Sequence, residues 1–307
     1  MLRRAAAVIA GASFGVPMCI RTHQDSVPPN SAEVETELPP WIRVCKDGAL
    51  RPVFIAHDGY AELRFGGMDA QADLGNTVLL VPLLLSDECK VLIDAAEERH
   101  AGAGSGFSRL LEGLLEWKKS GVLRFRFAPR HDASNDVQGV EVFHRMRVCE
   151  MTTEARDLSS TLINDRALSF LQCRLPAVAR SLFGDAIRMD RDRSERRFSF
   201  AQYEPTINRY TAGGLFPQHQ DGRALSVVVT LSEAGSFDGG GTMFFPYPER
   251  RRTIQDGSEH NITEEGCAVL VNPPIGVALL FNGSFRHAGE PIASGIRHVY
   301  VASFDLS

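Results

Sequence analysis

The chain has 307 residues, 44% of them hydrophobic and 23% charged, enough apolar material for a large core in one or two domains. With 33 basic against 38 acidic side chains its formal net charge is -5, which excludes a general basic surface for nucleic acid. The arginines at 188–197 are interleaved with Asp190, Asp192 and Glu195 and, like Arg250, Arg251 and Arg252, read as a solvated face or loop.

Met1 to Ile20 carries Arg3 and Arg4, then a small-to-apolar run, with no acidic residue before Asp25. It reads as a secretory signal peptide with Ala10-Gly-Ala12 as the cleavage site, as an organellar transit peptide, or as a cytoplasmic tail. It is too short and too rich in Gly, Ser and Pro for a confident membrane span. The sequons at Asn261 and Asn282 do not settle the compartment. Residues 25–40, rich in Ser, Pro and Glu, read as a linker. Residues 41–66 alternate apolar positions around Asp58-Gly59 and predict a hairpin.

A helix is expected from Ser86, as its cap, to Gly102, with Asp87 and Glu88 in the first turn and Val91, Leu92, Ala95 and Ala96 as its apolar stripe. Residues 103–150 predict a short helix at Leu110 to Trp117 and a strand at Gly139 to Phe143. His131 and His144 in this region have no chelating partner nearby in sequence and are read as ordinary histidines. A helical block follows over 153–183, restarted by Pro176 and ended by Gly184. Six cysteines, at 19, 45, 89, 149, 173 and 267, show no C-x-x-C spacing. Cys89, Cys173 and Cys267 fall in helix or strand patterns and read as small buried apolar groups.

The last third changes character. Segments 197–203, 207–210, 225–231, 242–245, 267–271, 277–281 and 297–304 predict short strands separated by Gly or Pro, the pattern of a sandwich or jelly roll. Within it Tyr210-Thr-Ala-Gly-Gly-Leu-Phe-Pro-Gln-His-Gln-Asp221 places His219 and Asp221 two residues apart, so an extended chain aims both at one point. His287 follows the apolar run Gly276-Val-Ala-Leu-Leu-Phe281, and Arg297 opens the last strand on the face shared by Val299, Val301 and Ser303. Two imidazoles and one carboxylate leave three positions of an octahedron open, which suits a non-haem Fe(II) oxygenase. A 2-oxo acid and dioxygen can fill them, with a buried arginine forked onto the acid's far carboxylate.

These motifs, with His287-x-Gly289-x-Pro-x-x-x-Gly295-x-Arg297, resemble the 2-oxoglutarate/Fe(II) dioxygenases, most closely the prolyl 4-hydroxylase alpha-subunit group. The resemblance is dense over 197–306 and reaches back thinly to 78, where Val-Pro-Leu-Leu-Leu-Ser-Asp-Glu-Cys is similar to that group's entry into its first helix. It implies a mostly β fold with supporting helices (α+β), a double-stranded β-helix with helices packed on one sheet. The implied organisation is a targeting segment or disordered tail and linker at 1–40, an N-terminal extension and helical support region at 41–196, and the Fe(II)/2-oxoglutarate domain at 197–307. It implies His219, Asp221 and His287 as iron ligands and catalytic residues, with Arg297, Tyr210 and Thr230 around 2-oxoglutarate. Many prolyl 4-hydroxylases use lysine where Arg297 stands, and Gly239-Gly240-Gly241-Thr242 lacks the glutamate of the usual Gly-Gly-Glu-Thr turn. The implied activity is hydroxylation of a substrate C–H, a prolyl residue of a protein or peptide above all, with L-ascorbate as reductant and dioxygen as oxidant. Another amino-acid side chain or a small molecule is the alternative target. Because Asp221 fills the third protein position, halogenation is disfavoured.

The chain carries its own control for the motif, since His23-Gln24-Asp25 repeats the tripeptide without a strand pattern around it. A nucleic-acid demethylase on the same barrel would need a second arginine after Arg297, which is the last in the chain. A non-catalytic jelly-roll binding module would not need Tyr210, Thr230 and Arg297 together, and zinc hydrolases seldom need such an arginine. Substrate choice is expected in loops at 103–135, 187–196 and 246–264.

Overall fold

Alternation along Arg297–Leu306 divides the interior in two: Val299 joins one apolar cluster, with Val301 packed against it, while Tyr300, Ala302, Phe304 and Leu306 join another. The computed structural model describes residues 34–46, 52–65, 77–103, 136–137, 140–141, 143–187, 196–246, 252–255, 258–261 and 268–307.

Arg297–Leu306 lies within a ten-stranded antiparallel sheet. Its order is Val34–Thr36, Val53–Ala56, Ala61–Arg64, Thr77–Pro82, Val277–Phe281, Leu225–Thr230, Arg297–Leu306, Thr206–Tyr210 and Phe143–Arg147, with Phe198–Phe200 also pairing with Arg297–Leu306. A five-stranded sheet runs Phe216–His219, His287–Gly289, Thr242–Phe244, Ala268–Val271 and Ile42–Lys46. Leu80, Val228, Leu279 and Phe281 from the first meet Ile42, Phe244, Val269 and Val271 from the second in one core. This is a mostly β jelly roll with supporting helices.

The helices cover the other face of the larger sheet. Leu92, Ala96, Leu162, Leu168 and Leu171 pack on Leu79, Val227, Val229, Leu280 and Tyr300. The Tyr300 hydroxyl is satisfied by Ser159 Oγ at 2.7 Å. The first helix runs Ser86–Ala103, but Ser86 is exposed and does not cap it. Glu88 does so, accepting from the Leu85 N–H at 2.8 Å. The same carboxylate takes a fork from Arg166 at 2.5 and 2.7 Å, tying this helix to the later block.

That block opens with Thr152, whose side chain accepts from the Ala155 N–H at 3.3 Å. It breaks at Leu175 before Pro176 and closes at Gly184 with φ of 54°. A π turn over Leu162–Ala167 was not expected from the sequence.

The hairpin around Asp58-Gly59 is present as Val53–Ala56 and Ala61–Arg64. The 25–40 linker needs correction at its end: Val34–Thr36 is a strand on Val53–Ala56, because backbone pairing to a sheet edge does not require apolar side chains. Cys173 is exposed, contrary to its reading as a buried apolar group, whereas Cys89 is buried. The strand expected at Gly139 to Phe143 appears as Val140–Glu141 and Phe143–Arg147. The helix expected at 110–117, His131, Cys19, Cys267 and the His23/Asp25 tripeptide lie outside the described residues. Strands from 41–196 take part in both sheets. Among the described residues no helix is long and apolar enough to cross a membrane.

Candidate metal centre

Phe216–His219 and His287–Gly289 pair antiparallel with His219 directly opposite His287, ring centroids 4.2 Å apart. The strands come close because Gly289 faces Phe216, where an added Cβ would stand 3.1 Å from the phenylalanine. Beyond the strand end the Asp221 N–H donates to Gly283 O at 2.8 Å, turning its carboxylate back toward both rings. His219 Nε2 is then 3.2 Å from Asp221 Oδ1, and His287 Nε2 is 3.6 Å from Asp221 Oδ2. One ligand atom from each of the three residues falls within 4.8 Å of the others.

Each imidazole is oriented from behind. His219 Nδ1 is 2.9 Å from Pro217 O, and His287 Nδ1 is 2.9 Å from Phe285 O. A carbonyl can only accept, so Nδ1 carries the proton and the Nε2 lone pair faces the shared point. Burial alone would raise the Asp221 carboxyl, but its contacts with His219, His287 and the Ser226 hydroxyl outweigh it and bring it down to about 2. Burial pushes His287 below the usual histidine range, favouring the neutral ring that a metal requires. Two lone pairs and an ionised carboxylate converging on one point fit a divalent cation, and the mixed N/O set fits Fe(II).

The same interior holds a buried cation. Arg297 is 2% exposed, and its Nε and Nη2 have no hydrogen-bond partner among the described residues. Burial lowers its pKa to about 10, against a smaller opposing effect of Tyr210, so it remains charged at neutral pH. Tyr210 stands directly opposite Arg297 on the neighbouring strand, and Thr230 opposite Val299 on the other side. Tyr210 and Thr230 are buried. Asn208 Nδ2 donates to the Tyr210 hydroxyl at 3.4 Å, and burial keeps that phenol protonated. The turn Gly239-Gly240-Gly241 has φ of 76°, 69° and 128°, and a Cβ on Gly240 would press on Ile292 and on Arg297 Cδ, the latter at 3.1 Å. A buried guanidinium with two donor nitrogens unused among the described residues fits an anionic group such as the distal carboxylate of 2-oxoglutarate.

Sequence reasoning passed over four residues around these groups. Ser226 donates to Asp221 Oδ2 at 2.5 Å, and its strand neighbour Ser303 lies opposite it. Phe216 packs on the His219 ring at 4.5 Å between centroids, and Arg145 stands over Phe216 at 5.9 Å. Of these, Ser226 and Ser303 left a signal, since period-two alternation back from Thr230 through Val228 reaches the first and alternation onward from Arg297 through Val301 reaches the second.

No family model and no curated protein matches the chain. Among solved structures it is similar to a Pseudomonas putida prolyl-4-hydroxylase, 17% identical, over 80% of this chain and 91% of that one, with a TM-score of 0.40. AviO1 from Streptomyces viridochromogenes is 15% identical over 74% and 88%, TM-score 0.40. A Trichoplax adhaerens prolyl hydroxylase solved with a hypoxia inducible factor peptide is 16% identical over 74% and 82%, TM-score 0.37. At such identities and scores the likeness carries no conclusion about chemistry, which rests on the side chains.

Proposed function

We propose that this chain is a 2-oxoglutarate- and Fe(II)-dependent dioxygenase that hydroxylates a C–H bond of its substrate. The observation that carries the reading is the pairing of a two-histidine, one-carboxylate set with a buried Arg297 whose Nε and Nη2 have no hydrogen-bond partner among the described residues. A plain binding module has no need to bury a cation that has the Phe237 ring and no anion beside it among the described residues, since such burial is costly without an anion to receive the charge.

His219, Asp221 and His287 would hold the iron, and Arg297 would hold the far carboxylate of 2-oxoglutarate, with Tyr210 and Thr230 lining its pocket. Bound together, iron and the 2-oxo acid supply oxidative chemistry in which one oxygen atom of dioxygen enters the substrate, while succinate and carbon dioxide leave. Pro217 O and Phe285 O fix the ring tautomers so that Nε2 of each histidine is free to ligate. Phe281 packs edge-on to His287 at 4.9 Å, and Phe244 and Phe285 close that side, which keeps water from the buried ring.

For the substrate we favour a prolyl residue of a peptide, the implication of the motif resemblance, with ascorbate supporting turnover. Proline-rich peptides incubated with protein, Fe(II), 2-oxoglutarate and ascorbate should gain one oxygen atom in mass. Succinate release stimulated by free amino acids and not by such peptides would move the target to a small molecule while leaving the oxygenase reading in place.

A further inference from the structure

We propose that Ser226, backed by Ser303, is a positioning residue that limits Asp221 to one-oxygen ligation of the metal. The inference rests on the reading of His219, Asp221 and His287 as a metal site. Ser226 Oγ donates to Asp221 Oδ2 at 2.5 Å, the oxygen 3.6 Å from His287 Nε2, and leaves Oδ1, 3.2 Å from His219 Nε2, without that donor. A serine hydroxyl has one proton. The 2.5 Å contact holds that proton on Asp221, and Ser303 Oγ, 3.3 Å away, is the other neighbour of the Ser226 hydroxyl. The two serines are Cα partners on neighbouring strands and both are 0% exposed, so water does not compete.

Ser303 is itself fixed. Its N–H donates to Glu204 Oε2, and Glu204 Oε1 receives Arg145 Nη2 at 2.7 Å. The Arg145 guanidinium lies over Phe216, and Phe216 packs on the ring of His219. A continuous set of contacts thus joins the back of Asp221 to the flank of His219.

The consequence concerns open positions. The Ser226 proton draws on Oδ2 and makes it the weaker ligand of the two carboxylate oxygens, although both face the site. Three protein atoms then ligate and three positions stay open, whereas a two-oxygen aspartate would leave two. Two are too few for a chelating 2-oxo acid and dioxygen together. Ser226 keeps the third.

Water-proton relaxivity of the Mn(II)-loaded protein counts the exchangeable waters on the metal without any turnover. In Ser226→Ala the freed Oδ2 displaces one water, and relaxivity per bound ion falls by about one third, one position of three. Ser226→Thr, which keeps the hydroxyl, restores the wild-type value. Equal relaxivity per bound ion in wild type and Ser226→Ala overturns the inference while leaving the metal site standing. No Mn(II) binding by wild type overturns the site and the inference with it. Should Ser226→Ala fail to fold, Ser303→Ala is read in its place, with a fall in the same direction expected and no change counting against the inference.

Discussion

Tyr210 and Arg297 stand directly opposite each other on neighbouring antiparallel strands, both buried, and the Arg297 Nε and Nη2 find no partner among the described residues. An aromatic wall beside an unsatisfied, oriented guanidinium is half of a carboxylate site. Arg297→Ala should therefore weaken 2-oxoglutarate binding by several tens to several thousand-fold, the equivalent of about 2–5 kcal/mol for a desolvated charge pair. Titration with Mn(II) should show its metal affinity little changed. Unaltered 2-oxoglutarate affinity in the variant would assign the co-substrate to another residue.

Gly240 should matter for the same reason at one remove. Its φ is 69°, and a Cβ there would contact the Arg297 side chain at 3.1 Å. Gly240→Ala should displace the guanidinium and cost about 100-fold in kcat/KM for 2-oxoglutarate, the scale of an ångström misplacement. Isothermal titration with 2-oxoglutarate would show a matching loss of affinity, with Mn(II) binding retained.

Glu204 gives a pH signature. Its side chain is 2% exposed, and burial, aided by the Asp221 charge, raises its pKa from 4.5 to about 7. A carboxyl raised in the folded state binds its proton more tightly there than in the unfolded chain. Its contribution is fully present below pH 4.5 and is lost as pH rises to about 7. Between those limits metal-free wild type should lose on the order of 3 kcal/mol relative to Glu204→Gln, read as urea midpoints at each pH. Parallel curves would show that Glu204 does not titrate in this window.

Gly276 straps the first helix to the barrel. Its carbonyl accepts from the Leu83 and Leu84 N–H groups at 3.0 and 3.1 Å, and at φ of 77° an added Cβ would run into Leu84 O. Gly276→Ala should lower unfolding free energy by about 2–4 kcal/mol, since backbone on both sides has to move. A thermal midpoint equal to wild type would mean the strap yields freely.

Local spacing made much of this readable. Alternation places Val299, Val301 and Ser303 on the side of Arg297, and those residues do meet the inner cluster and Ser226. The three glycines at 239–241 do take positive φ. What local pattern cannot carry is partnership across the chain. Val78-Leu-Leu-Val81 is buried on both faces, so it shows no alternation to announce a strand. Ile42–Lys46 pairs with Ala268–Val271, and the sequence near either gives no sign of the other. Cys173 lies in a helical pattern yet faces out, because the apolar stripe of Leu168–Arg174 runs through Leu168 and Leu171. Glu204 and Arg145 are 59 residues apart, and only the neighbouring strands that bear or precede them bring them together.

The most direct test is Fe(II)-dependent release of succinate from 2-oxoglutarate by the purified protein, beside His219→Ala. The wild type should release succinate with iron and stop when the iron is chelated, and His219→Ala should release none while keeping its circular dichroism spectrum. Succinate release by His219→Ala at the wild-type rate, or none by iron-loaded wild type that binds both iron and 2-oxoglutarate, would contradict the assignment.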